Sequence, residues 1–279
     1  MKKVIFAAVF ALAAMVAQAS SVKDLESSAV IEGSIVVAKD GSVRTTQIDE
    51  PEKYSQPIAE MVRKAALKWR FQPVLRHGEP VVAKASMHVR VVVKKLSEGR
   101  YAARITGATF GDDDPVPTNE LRYADSQRVM PIYPAAPAKA RVDATVYVVL
   151  RVDRSGHVAD AVAEQVNLGS PGAEVLARRY RRAFAEAALE AARRWTFEIP
   201  TTGELAARSD WTARVPIDFH VESSRHADTV PVWQTYVPGP YTPAPWAHHP
   251  GQDDGDAIAE GALQTEGTGP VLLSKLDQG

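Results

Sequence analysis

Two stretches of this chain end in the same way. Ala65-Ala66-Leu67-Lys68-Trp69-Arg70-Phe71-Gln72-Pro73 and Ala188-Leu189-Glu190-Ala191-Ala192-Arg193-Arg194-Trp195-Thr196-Phe197-Glu198-Ile199-Pro200 both read as the end of an amphipathic helix. Each runs through Trp-x-Phe into a proline, which cannot continue a helix. Each copy also follows a Gly-centred turn between two apolar, β-branched runs, and more β-like sequence comes after the proline. A repeated supersecondary unit is a strong constraint, because both copies must bury the same helix face on the same kind of sheet. The pattern predicts two β-β-α-β units, each a helix packed on a small antiparallel sheet, and hence an α+β fold.

In the first copy, 29–38 reads as a strand, Lys39-Asp40-Gly41-Ser42 as a turn and 43–48 as the returning strand. Glycine suits such a turn because it tolerates positive φ. A helix is expected over 57–69, since Ile58, Met61, Val62, Ala65 and Trp69 share one face. The run 81–95 is the most β-like in the chain, with Met87, Val89, Val91 and Val93 on one face and His88, Arg90, Val92 and Lys94 on the other.

In the second copy, 142–152 and 157–166 flank the turn Asp153-Arg154-Ser155-Gly156. Leu176, Tyr180, Phe184, Ala188, Ala191 and Trp195 then recur at helical spacing, and 211–221 is the last strand. Trp69 and Trp195 lie 126 positions apart, but Gly41 and Gly156 only 115, so the second copy carries 11 extra residues. These are placed at Gly169-Ser170-Pro171-Gly172 and in added helical turns.

The expected organisation is a signal peptide (1–19), a first unit (27–96), a connector (97–127), a second unit (128–222) and a Pro/Gly-rich tail (223–279). Within the connector, glycines, prolines and Asp112-Asp113-Asp114 interrupt any periodicity, leaving one short candidate strand at 101–110. The tail holds Pro231, Pro238, Pro240, Pro243, Pro245 and Pro250 and reads as disordered or loosely attached; Trp233, Tyr236, Tyr241 and Trp246 are unusual for disorder and read either as a docking motif or as packing back on the second unit.

Met1-Lys2-Lys3, an apolar run and Ala17-Gln18-Ala19 have the form of a cleavable signal peptide. The apolar run is short for a membrane helix, which needs about 20 residues. The chain has no cysteine, which excludes lipid attachment at a Cys, disulfides and Cys-based zinc sites. A net charge of −1 gives no pull toward nucleic acid. The expectation is an exported, periplasmic protein with no later transmembrane span.

The residues of the second copy resemble a family. Tyr133-Pro134, the run Val146-Tyr147-Val148-Val149-Leu150-Arg151-Val152-Asp153-Arg154-Ser155-Gly156-His157-Val158, the Trp195-Thr196-Phe197 segment with Pro200, and Val215-Pro216-Ile217-Asp218-Phe219 together resemble the C-terminal domain of TonB, the energy-transducing protein of the Gram-negative envelope. The first copy resembles it more faintly and lacks the Tyr-Pro opening. An energy-transducing TonB is marked by an uncleaved anchor helix and a long Pro-rich span before the domain; the cleavable form of this N-terminus, and a short leader running straight into a strand, give no expectation of that apparatus here. The resemblance implies a non-catalytic binder of extended peptides, such as the periplasmic peptides of outer-membrane receptors in TonB-dependent transport.

An open sheet edge is a template for another strand. By the resemblance, the last strand of each unit is the pairing strand, which nominates Met87, Val89, Val91 and Val93, and Ala213, Val215, Ile217 and Phe219. Pro216 removes one donor there. A homodimer is a second partner option. The alternative is an envelope module that binds peptidoglycan or another anionic polymer through Arg178, Arg179, Arg181 and Arg182.

Enzyme and cofactor signals are poor, and no cofactor or metal is expected. His248-His249 sit in the tail, Ser155-Gly156-His157 lies in a turn, and the acidic run lacks calcium-loop spacing.

Overall fold

The two Gly-turn hairpins each seed a sheet. The computed structural model describes residues 25–76, 78–112, 119–124, 128–221, 232–247 and 263–276. The expected signal peptide, His248-His249 and most of the acidic run lie outside these residues. Among the described residues no helix is long and apolar enough to cross a membrane. The fold is α+β, with few helices and much strand.

In the first half, β1 (Glu26–Val37) and β2 (Val43–Ile48) form the hairpin, followed by helix α1 (Gln56–Ala66). A small hairpin, β3 (Leu75–Arg76) with β4 (Glu79–Pro80), leads to β5 (Ala83–Ser97). β5 turns at Gly99 into β6 (Arg100–Asp112), giving the order β2-β1-β5-β6. In the second half, β7 (Arg122–Tyr123) and α2 (Ala135–Ala140) precede the hairpin of β8 (Ala144–Asp153) and β9 (Val158–Leu168). Helix α3 (Glu174–Ala192), β10 (Phe197–Glu198) and β11 (Asp210–Phe219) follow. Two later strands, β12 (Gln234–Tyr236) and β13 (Gln264–Thr265), come from the tail. The second sheet has the order β13-β11-β8-β9, and β10 pairs with β7 beside it.

Each helix buries one stripe on its sheet. Val62, Ala65 and Ala66 of α1 join Ile31, Ile35, Met87, Val89 and Phe110. Phe184, Ala188 and Ala192 of α3 join Val148, Leu150, Trp211 and Val215. Alanines on the contact stripe let the helix backbone approach the sheet closely, so large side chains from the strands fill the layer. Trp69 and Trp195, just beyond the helix ends, are buried in these cores.

The repeat extends to backbone detail. In both hairpins the turn glycine has φ +79, and its carbonyl accepts the backbone N–H of the Trp-x-Phe phenylalanine at 2.8 Å: Phe71 to Gly41 and Phe197 to Gly156. A Cβ at Gly41 would lie 1.9 Å from the Phe71 carbonyl oxygen, and one at Gly156 would lie 2.2 Å from that of Phe197. Glycine is therefore required twice over, for its left-handed φ and for the close approach of a second backbone. The turn acid is shared too: Asp40 Oδ1 accepts the N–H and hydroxyl of Ser42, and Asp153 Oδ1 those of Ser155. These bonds hold both carboxyls below their usual pKa.

The sheet faces away from the helices are also buried. Val92 and Thr106 of the first sheet, and Tyr147, Val149 and Thr212 of the second, are shielded from solvent without facing a helix. From one of these faces to the other, the Arg90 guanidinium stands 5.7 Å from the Tyr147 ring centroid.

Several expectations need correction. The stretch 97–127 is not simply a connector: 13 of its residues form β6, a full member of the first sheet, so that unit reaches Asp112. Its register with β5 slips between Arg90 and Val91, and Gly107 and Gly111 dilute its β-branched signal. Helix α1 stops at Ala66, before Trp69. Leu176 is exposed, and the buried stripe of α3 starts at Ala177. The extra length of the second copy is not in the Gly169–Gly172 loop. It lies in a return strand of 11 residues against 6 and a helix of 19 against 11. Finally, the described parts of the tail are docked: β12 pairs with Glu26–Ser28 of β1, and β13 pairs with β11.

Candidate functional site

Strand addition needs a row of backbone groups without partners, so the candidate strands are judged first by their neighbours. β5 fails this test. It pairs with β1 along one side and β6 along the other. Met87, Val89 and Val91 are buried and Val93 is half-buried, all on the α1 side. The nomination of these four residues as a peptide contact is corrected: they are core, because β6, expected only as a short candidate strand at 101–110, runs the full length of the edge on which they would have lain. Among the described residues no strand pairs with the outer side of β6. Beside it a groove of ≈ 470 Å³ opens between Met61 and Ala65 of α1 and Ile105 of β6, rimmed by Lys64 and Lys68.

β11 is different. It pairs with β8 over its whole length on one side. Ala213, Val215, Ile217 and Phe219 are buried and point to the α3 core, so they hold the strand in place and cannot themselves touch a ligand. What the edge offers is backbone. The carbonyl of Thr212 accepts the N–H of Glu266 at 2.9 Å across the outer side. By the two-residue period, positions 212, 214, 216 and 218 all turn their backbone groups that way. Pro216 therefore lacks its N–H on the outer edge itself, where a proline is tolerated in a sheet.

The tail occupies this edge over a short stretch. Ala213 pairs with Thr265 and Arg214 with Gln264. Arg214, only 12% exposed, joins two carboxylates: its Nη1 lies 2.8 Å from Glu266 Oε1 and its Nε 3.6 Å from Glu164 Oε2 of β9. Arg208 donates from Nη1 to the Glu266 carbonyl at 3.1 Å. A buried cation needs such partners, since desolvation would otherwise outweigh its attractions.

A second tail segment follows the edge of β9. Val237 and Leu168 exchange backbone hydrogen bonds of 2.7 and 3.1 Å, and the Gly239 N–H donates to Asn167 Oδ1 at 3.1 Å. Glu164 receives the Thr242 N–H on its carbonyl at 2.7 Å and the Ala244 N–H on Oε1 at 3.1 Å. Immediately before, β12 pairs with β1, where Tyr236 faces Glu26. One continuous segment thus pairs with both sheets. Farther on, Leu272 bridges to Phe71, and the Leu273 N–H donates to the Arg70 carbonyl at 2.8 Å.

The basic run of α3 does not form one surface. Arg181 is half-buried and donates from Nε to the Val166 carbonyl at 3.2 Å and from Nη2 to the Pro238 carbonyl at 3.1 Å. Burial lowers its pKa. It clamps the tail to β9, so its nomination as a polymer contact is corrected. Arg178 lies 3.7 Å from Glu174 at one helical turn, and it is exposed along with Arg179 and Arg182.

The Ser155 and His157 side chains approach to 3.0 Å, but Asp153 contacts the serine hydroxyl and not the imidazole. A nucleophilic triad requires the acid on the far side of the ring, so this is a turn motif.

The pairing of the tail as strands with both sheets was the main feature that the sequence did not reveal. Its one signal was the cluster of Trp233, Tyr236, Tyr241 and Trp246; Gln264-Thr265-Glu266 carries none. No protein-family model, curated protein or solved structure matches this chain.

Proposed function

We propose that this chain is an exported, non-catalytic binding protein of the cell envelope that captures extended segments of partner proteins by adding them to its sheet edges. In this reading the two β-β-α-β units are TonB C-terminal-like scaffolds, and the partners are periplasmic peptides of outer-membrane receptors. One observation carries the proposal: the chain's own tail is already held at the edges of β1, β9 and β11 by backbone pairing. Edges that accept such segments from the same chain have the chemistry to accept them from another.

The test is photo-crosslinking in intact cells from Tyr101, an exposed residue of β6, and from His220, just past β11. Adducts to outer-membrane receptors are expected. No protein adducts, with retention on purified sacculi that is lost when Arg178, Arg179 and Arg182 become Gln, would replace this reading with polymer binding. N-terminal sequencing of the mature protein should begin at Ser20; an intact Met1 would refute export by cleavage.

A further inference from the structure

We infer that the outer edge of β11 recognises extended segments of the form apolar-x-x-Glu-Gly, and that Leu263–Gly267 is a built-in competitor for that edge. The inference rests on the strand-addition reading and names the ligand class and its control.

Four observations define the pattern. Leu263 packs against the second core, so the segment enters with an apolar anchor. Three residues later Glu266 is read at three points: its N–H by the Thr212 carbonyl, its carbonyl by Arg208 and its carboxylate by Arg214. A charge-assisted bond to a largely buried arginine is stronger than a neutral one, so this position discriminates between Glu and Gln. Gly267 has φ +88, a left-handed conformation that favours glycine where the segment leaves the edge. The chain then turns back, with the Thr268 hydroxyl donating to the Thr265 carbonyl at 2.8 Å.

The competitor is weakly built as a strand. β13 is two residues long, against the ten-residue pairing of β11 with β8. Pro216 limits how far any added strand can run along this edge, because its position offers an acceptor but no donor. Recognition is therefore concentrated at Arg208, Thr212 and Arg214. A partner that presents the same pattern exchanges with the tail group for group, leaving Arg214 paired throughout. Such an exchange avoids the cost of an exposed edge or an unpaired buried cation.

The experiment uses the full chain, wild-type and Glu266→Gln, and a fluorescent peptide Ala-Leu-Gln-Thr-Glu-Gly-Thr alongside its Glu→Gln counterpart. Hydrogen exchange at 263–268 reports whether the tail leaves the edge. The variant should show faster exchange there and bind the Glu peptide at least about tenfold more tightly than wild type does. The Glu peptide should exceed the Gln peptide by about tenfold, as charge-assisted bonding implies. Unchanged exchange in the variant would overturn the competitor role. Equal binding of both peptides would overturn recognition of the carboxylate while leaving strand addition standing. Fast exchange with no binding of either peptide would overturn strand addition at this edge.

Discussion

Replacing Gly156 with alanine isolates the lock that the two hairpins share. Alanine at φ +79 costs about 1–2 kcal/mol in left-handed strain. Its Cβ would stand 2.2 Å from the Phe197 carbonyl oxygen, against an ordinary contact of 3.4 Å or more, so the turn and the Phe197 backbone must separate. That movement breaks the 2.8 Å Phe197-to-Gly156 hydrogen bond, a further loss of about 1 kcal/mol. It also disturbs the packing of Phe197 beside Tyr123, where the ring centroids are 5.2 Å apart. The total is about 3 kcal/mol, less a few tenths recovered from the stiffer unfolded chain. Gly99 supplies the control. It has φ +70 but open space around its Cβ direction, so Gly99→Ala carries only the strain term. At roughly 2–4 °C per kcal/mol for a chain of this size, Gly156→Ala should lower Tm by about 6–12 °C and Gly99→Ala, at about 1–2 kcal/mol, by about 2–8 °C and by less than Gly156→Ala. Thermal unfolding followed by circular dichroism makes the comparison. Equal shifts in the two variants would refute the close-approach argument, since strain alone would then account for both.

Other perturbations test separate parts of the structure. Glu26 is buried, with Arg104 at 2.8 Å and Lys94 at 3.9 Å, but both cations are more than a third exposed and can turn to water, so Glu26→Ala should cost about 1 kcal/mol in urea denaturation, through the lost ion pairs and a loosened β12. The Tyr133 hydroxyl donates to the Val142 carbonyl, and burial followed by the nearby Asp143 raises its pKa to about 12. A phenol whose folded pKa is raised stabilises the fold below its unfolded value near 10, and that contribution is lost as pH climbs to about 12. Stability should therefore fall across this window, and Tyr133→Phe should flatten the fall, measured by denaturation at a series of pH values. Arg181→Gln should accelerate hydrogen exchange at 237–239 with α3 unaffected. Arg179→Gln, on the exposed side of the same helix, should change stability by less than about 0.5 kcal/mol.

The parts of the fold that declared themselves in sequence are those fixed by local chemistry. Gly41 and Gly156 stand where a left-handed turn is needed, and Trp69 and Trp195 mark where a helix face runs into its sheet. The parts that did not are fixed by neighbours. β6 is poor in β-branched residues and interrupted by Gly107 and Gly111, and it is a strand because β5 offers it a ladder. β12 and β13 are too short to show any period; existing edges impose their extended form. The misplacement of the first candidate site follows directly: Met87 to Val93 were read correctly as a strand, but the candidate strand at 101–110 was left in the connector and not paired beside them. At β11 the edge was foreseen and its occupant was not. The identity of the ligand-facing groups was also hidden, since the inward-pointing Ala213 and Val215 are the alternating apolar residues that draw notice, whereas Arg214 and Thr212 face the tail.

The pairing of β12 with β1 has a consequence for how this chain must fold. Ser27 and Thr235 share a 3.1 Å hydrogen bond across 208 positions of sequence, and the Tyr236 hydroxyl reaches Glu26 across 210. The first sheet is begun by some of the earliest described residues and closed by some of the last. During synthesis, the edge at Glu26–Ser28 stays open until Gln234–Tyr236 has emerged. Closure is thus a late, long-range event, the kind that slows folding and exposes intermediates to wrong partners. A chain cut short before Gln234 would leave that edge permanently unpaired.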